Sequence, residues 1–126
     1  FLLSGSSETL RREANLIHLP HRSGHHYPDL VRASDAVVGK AGYGTVAEVR
    51  ASGIPFARVL RDNFRESPVL GAYLDKHISG FTLSDSQFNC GSWIDRLDEL
   101  LSQPRNNNGT DNGASWAAAH IVPFLG

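Results

Sequence analysis

The sequence predicts an α/β fold, a parallel sheet with helices on both faces, and three observations carry that prediction. First, "DAVVG", Asp35 to Gly39, is a brief continuous apolar run, the pattern of a strand covered on both faces. Second, a helical pattern over Thr45 to Ser52 leads into the strand-like "FARVL". Strand, helix and strand thus succeed one another within about 30 residues, the length of a βαβ unit. Third, the order repeats, with a helix expected over Ser67 to Lys76 and a strand over Gly80 to Leu83.

In chain order, Phe1 to Ser4 and Asn15 to Leu19 read as short strands. The connector "GSSETLRREA" between them has room for a helical turn but no apolar stripe. "PHRSGHHYPD" is a loop by its Pro, Gly and Ser content. Tyr27 to Ser34 reads as a helix, with Leu30 and Val31 at helical spacing from Tyr27 and Pro28 tolerated in the first turn. The helix over Thr45 to Ser52 stops at "GIP", where Gly53 is placed as a C-terminal cap and Pro55 lies just beyond. In "FARVL", Arg58 shares a strand face with Phe56 and Leu60, so this strand is expected to be partly exposed. The helix over Ser67 to Lys76 has Pro68 in its first turn and Val69, Leu70, Tyr73 and Leu74 on one side. "SWIDRLDELLSQ" sets Trp93, Ile94, Leu97, Leu100 and Leu101 along the stripe of one amphipathic helix. A polar linker, "PRNNNGTDNG", leads to a last helix over Ala114 to Phe124, disrupted by Pro123 near its end. Trp93 and Trp116 are assigned to the core.

The 126 residues, 40% hydrophobic and 20% charged, suit one soluble domain over 1–126 that buries about two thirds of its unfolded surface. A net charge of −1 removes the electrostatic case for a nucleic-acid partner, which needs a basic face. The single cysteine, Cys90, cannot form an internal disulfide and suits a reducing cytoplasm. No apolar run approaches the roughly 20 residues of a membrane-spanning helix. The chain has no methionine and opens on "FLL", as a piece of a longer protein would.

The chemistry concentrates in "VVGKAGYGTVAE", Val37 to Glu48, at the carboxyl end of a parallel strand, where ligands collect. Glycines let backbone approach an anion closely, and the N–H groups of a helix start attract it. The competing reading is a tight turn in which Gly42 and Gly44 supply positive φ and Thr45 to Glu48 form a capping box. A Walker loop is excluded, because Gly39-Lys40 is followed by alanine and precedes the other glycines. A dinucleotide fingerprint is a closer rival. Gly42, Gly44 and Ala47 match G-x-G-x-x-A, and Asp62 lies about 20 residues on, although "GKA" separates the strand from the first of these glycines. Lys40 enters the loop from the strand end and either reaches a phosphate or points to water.

Over "SDAVVGKAGYGTVAEVRASGIPFARVLRDNFRESPVL" the chain resembles the donor-binding C-terminal half of GT-B glycosyltransferases of the family 28 type. It resembles still more closely the glycosyltransferase-like domain ahead of the kinase in L-arabinokinases and their bacterial relatives. "GKAGYGTVAE" and "RDNFRESP" are the most specific parts, and the likeness extends through "FLLSG", "NLIHLP", "YPDLVRASD" and "CGSWIDRLDELL". The resemblance implies a Rossmann-like half of a GT-B fold and a UDP-sugar donor, with neither metal nor cofactor. It places Glu48 on the ribose hydroxyls, Gly42, Tyr43, Gly44 and Thr45 against the diphosphate, and the segment Arg61, Asp62, Glu66, Ser67 toward the sugar, with Glu66 as a hydroxyl partner. Carboxylates accept from paired hydroxyls, and N–H donors stabilise a departing diphosphate. The ordinary alternative for Arg61, Asp62, Arg65 and Glu66 is a solvated face of weak ion pairs.

The resemblance also implies an acceptor-binding N-terminal half, absent here, that carries the catalytic base. It implies a further strand ahead of "FLLSG", without which the strands close up or another chain, such as a second copy, fills the gap. Elsewhere, His18, His21, His25 and His26 lack the regular spacing of a metal site and are read as a solvated loop. Cys90 has no base beside it to make it a nucleophile. Asn108-Gly109-Thr110 fits a glycosylation acceptor, with nothing else suggesting secretion.

Overall fold

The computed structural model describes residues 1–106 and 113–125. They form two compact units that divide between Leu30 and Val31. The Asn108 to Thr110 sequence lies outside the described residues.

The first unit holds strands β1 (Leu2–Ser7), β2 (Arg11–Glu13) and β3 (Leu16–Pro20), in the order β1-β3-β2. β1 runs parallel to β3, and Phe1 is tied in by its amino group on the Asn15 carbonyl at 2.6 Å. The connector expected to hold a helical turn instead forms β2, antiparallel to β3 with Arg11 opposite His18 and Glu13 opposite Leu16. Arg11 and Glu13, two residues apart on one strand face, pair at 2.8 Å. Because β2 takes the second edge of β3, that group is complete around its central strand.

The second unit carries the parallel sheet. Strands β4 (Val37–Lys40), β5 (Phe56–Val59) and β6 (Gly80–Leu83) lie in the order β4-β5-β6, with Val37 beside Phe56 and Phe56 beside Gly80. Among the described residues the strands form two three-stranded sheets rather than one continuous six-stranded sheet. Each group already satisfies both edges of its own central strand. Gly80 is required where it stands: its φ is +126°, and a Cβ there would lie 2.2 Å from the Phe56 carbonyl oxygen.

Both faces of the parallel sheet are covered, as the apolar runs predict. β5 is buried throughout. Phe56 packs with Val46 and Val49 of helix α2 (Tyr43–Ser52), with Leu70 and Leu74 of α3 (Ser67–His77), and with Val31 near the end of α1 (Tyr27–Ala33). Ala57 and Val59 face the other side, against Leu83, Phe88 of α4 (Asp85–Cys90), Trp93, and Leu100 of α5 (Leu97–Leu101). The expected exposure of β5 at Arg58 is wrong: the residue is only 2% exposed. Its charge is met by Asp75 of α3 rather than by water, while Nε and Nη1 are buried with no hydrogen-bond partner among the described residues.

The helix boundaries follow local chemistry. Gly53 ends α2 in the left-handed region, φ 66°, with its N–H on the Val49 carbonyl. Ser84 and Gln87 form a full capping box at the start of α4, a helix not among those expected from the sequence pattern. The single helix expected over "SWIDRLDELLSQ" is split into a 3-10 turn, Ser92–Arg96, and α5. The break falls at Arg96, whose guanidinium lies 3.6 Å from the centre of the Phe81 ring and bonds Glu99 at 2.7 and 2.8 Å. The last helix, α6 (Gly113–Ile121), passes into a 3-10 turn at Val122–Phe124 that contains Pro123. Trp116 on α6 is exposed and stacked on His120, so its assignment to the core fails, whereas Trp93 does pack on a core cluster. No helix among the described residues is long and apolar enough to cross a membrane.

Candidate functional site

Two βα connections leave the carboxyl ends of the neighbouring strands β4 and β5. In the first, β4 ends at Lys40, Ala41 donates to the Val59 carbonyl at 2.9 Å, and Gly42 donates to the Lys40 carbonyl at 3.0 Å. α2 begins at Tyr43, two residues earlier than the pattern predicts, with Gly42 as N-cap and no side chain capping it. The first intrahelical bond is Val46 N–H to the Gly42 carbonyl, 2.9 Å. The N–H groups of Tyr43, Gly44 and Thr45 therefore have no intrahelical acceptor and no partner among the described residues.

The tight-turn reading of this loop does not survive. Gly42 has φ −102° and Gly44 is helical, so neither supplies positive φ. A Cβ at Gly39, Gly42 or Gly44 would meet nothing within 4 Å, so internal packing does not require glycine at these positions. The Thr45–Glu48 capping box is also absent, because Thr45 is the third residue of the helix rather than its cap. Glu48 stands about one turn along α2, half-buried, with no hydrogen bond or ion pair among the described residues. Lys40 is exposed at the strand end.

The second connection forms an open cleft of about 560 Å³ lined by Arg61, Asp62, Asn63, Phe64, Arg65 and Ser67. Its shape is held from within: the Ser67 hydroxyl donates to the Arg61 carbonyl at 2.6 Å, and the Ser67 N–H to the Phe64 carbonyl at 2.9 Å. Ser67 thereby spends its hydroxyl on closing the loop. The Arg61 guanidinium lies over the Phe64 ring, 5.5 Å from its centre, and Asp62 is exposed.

A side-chain bond ties the two connections together. The Tyr43 hydroxyl donates to Glu66 Oε2 at 2.6 Å, across 23 residues of sequence. Glu66, by this hydrogen bond first, raises the Tyr43 pKa above its ordinary value of 10.0. Sequence reasoning named both residues but not their pairing, which no local signal encodes. The structure thus brings Lys40, the helix start at Tyr43 to Thr45, Glu66 and the Arg61 to Ser67 loop to the ends of adjacent strands. It places Glu48 further along α2.

The other groups weighed from sequence lie elsewhere. Among the described residues, no set of three His, Cys, Asp or Glu side chains is arranged to hold a metal ion. Cys90 is exposed, and a hydrogen bond with the Ser92 side chain lowers its thiol pKa, but its contacts, Ser92 and the Gln87 carbonyl, supply no base.

No protein-family model matches the chain, and no solved structure does. L-arabinokinase of Arabidopsis thaliana is 36% identical over 121 residues that take in 96% of this chain and 11% of that protein. Along nearly all of its length, then, this chain is related to one short region of a much longer L-arabinokinase.

Proposed function

We propose that the chain is the donor-binding part of a glycosyltransferase-like protein and takes a UDP-sugar at the start of α2. The observation that carries the reading is the pair Gly42 and Gly44. Among the described residues, neither backbone conformation nor internal contact calls for glycine there, and the space they leave open adjoins three N–H groups without acceptors. A diphosphate satisfies both conditions: it needs close approach, and it accepts from a helix start whose dipole attracts it by roughly 0.3 to 1 kcal/mol when exposed.

Around that seat each side chain has a task suited to its chemistry. Lys40 supplies a positive charge to the phosphates. Glu48, without a side-chain partner among the described residues, accepts from the ribose diol. Glu66 accepts from a hydroxyl of the sugar, and Arg61 and Asp62 border its cleft. The relative's name, L-arabinokinase, is that of a protein acting on a sugar, in keeping with a sugar-related domain. The chain supplies no acceptor pocket in this reading, so it binds the donor, and transfer waits on a second domain.

Titration calorimetry with UDP and UDP-sugars tests the proposal. Saturable binding that weakens in Glu48→Ala is expected, and no heat of binding from any uridine nucleotide ends it. A nicotinamide dinucleotide is the competing ligand, since Gly42, Gly44, Ala47 and the exposed Asp62 keep the fingerprint spacing. Binding of NADH without UDP would assign the seat to that class. Inertness to every nucleotide would leave a regulatory domain that keeps the fold alone.

A further inference from the structure

Tyr43 is a large aromatic residue that the core does not use. It is 61% exposed and stands between two glycines that leave open space on either side of it in the chain. Its hydroxyl is nevertheless committed to Glu66. Glu66 itself occupies the N-cap position of α3, where a carboxylate is ordinarily drawn to the first N–H groups of its own helix. It makes no such bond, and proline in the first turn removes one of the donors. Arg65, its exposed neighbour in the chain, is the obvious competitor for the carboxylate, yet the partner taken is the phenol. A phenol hydroxyl donates to one carboxylate oxygen and leaves the other available as an acceptor. Oε1 of Glu66 has no partner among the described residues.

We infer that Tyr43 is a positioning residue, which fixes Glu66 with one oxygen engaged and the other offered to a sugar hydroxyl, and so sets the preference for a sugar nucleotide over the bare nucleotide. This rests on the nucleotide-sugar reading above and adds to it the element that discriminates the sugar. The phenol suits the task because it cannot neutralise the carboxylate as a guanidinium would, and a phenol carries its proton at neutral pH. It also spans the two connections, so the distance between the diphosphate seat and the sugar acceptor is set by one rigid ring.

The experiment is calorimetric titration of the full chain with UDP, UDP-glucose, UDP-galactose and UDP-xylose, in wild type, Tyr43→Phe, Glu66→Ala and the double variant. Both side chains are exposed, and circular dichroism confirms that each variant is folded. Wild type is expected to bind at least one UDP-sugar more tightly than UDP. In Tyr43→Phe the ratio of sugar-nucleotide to UDP affinity falls about tenfold, the scale of one hydrogen bond to a charged group. Glu66→Ala loses the same ratio, and the double variant loses no more than either single one, because the two residues act as a unit. A ratio unmoved by Tyr43→Phe, additive losses in the double variant, or a wild type that does not discriminate UDP-sugars from UDP overturns the inference while leaving the nucleotide seat standing. Absence of all uridine nucleotide binding in wild type overturns both together.

Discussion

Replacing Gly44 by alanine separates the structural from the functional explanation of the glycine loop, because the two predict opposite signs. Gly44 is the second residue of α2, its φ is not positive, and its missing Cβ would meet no atom within 4 Å. Alanine there fits without strain and reduces the conformational freedom of the unfolded chain, a gain of about 0.5 to 1 kcal/mol. For a chain of 126 residues that corresponds to a rise in Tm of roughly 2 to 4 °C. If the helix start seats a diphosphate, the added methyl stands between phosphate oxygen and backbone. Loss of one charge-assisted hydrogen bond then weakens binding by about tenfold or more. Thermal melting followed by circular dichroism gives the first number and titration with UDP the second. A variant that melts lower refutes the open, helical environment assigned to Gly44. One that melts higher and binds UDP as before refutes the seat.

Three other perturbations test the frame that holds the site. Asp75→Ala leaves the buried Arg58 guanidinium without its counter-charge and, discounted for the exposure of Asp75, costs about 1 to 3 kcal/mol. Arg58→Met removes the charge together with two nitrogens that have no hydrogen-bond partner among the described residues, so urea denaturation should show it to be the milder change, with the double variant resembling Arg58→Met. Gly80→Ala forces a Cβ into the Phe56 carbonyl at a φ that side chains avoid, a loss of about 3 kcal/mol or more read as a lower denaturation midpoint. In an absorbance titration of the three tyrosines, Tyr43 should ionise at higher pH than in Glu66→Ala. Since its folded pKa is raised, the linked stabilisation is complete below pH 10 and is lost as pH climbs through the folded value, so the stability advantage over Glu66→Ala should hold at neutral pH and shrink in alkali.

The parts of the fold legible in the sequence are those governed by neighbours along the chain. The apolar run at Val37, Gly53 as a cap, Pro68 in a first turn and the βαβ order each depend on a few adjacent residues, and each is found. Those that escaped depend on register between distant segments. Arg11 to Glu13 has no apolar alternation and becomes a strand only because β3 offers it an edge. Arg58 reads as an exposed charge until Asp75, 17 residues on, is known to meet it. Tyr43 and Glu66 were both named, yet their bond needed the parallel pairing of β4 with β5 to bring the two connections side by side. The Ser84 box is different, since "SDSQ" carries its signature openly and could have been read.

That contrast bears on how the uncapped start of α2 should be weighed. The chain is capable of thorough local capping: it gives both halves of a capping box to α4, a helix of six residues. At α2, a helix of ten residues, it places glycine at the cap and again two residues on, although a serine or aspartate cap would add stability and nothing in the surrounding structure obstructs one. At α3, the cap position holds a carboxylate that is turned to Tyr43 instead of its own helix. Both departures follow the neighbouring strands β4 and β5, at the carboxyl edge of the parallel sheet where open α/β sheets collect their ligands, whereas the fully capped helix follows β6. Local rules obeyed at one helix and relaxed at two neighbours are what the proposed donor seat requires, since N–H groups left uncapped stay open to a ligand.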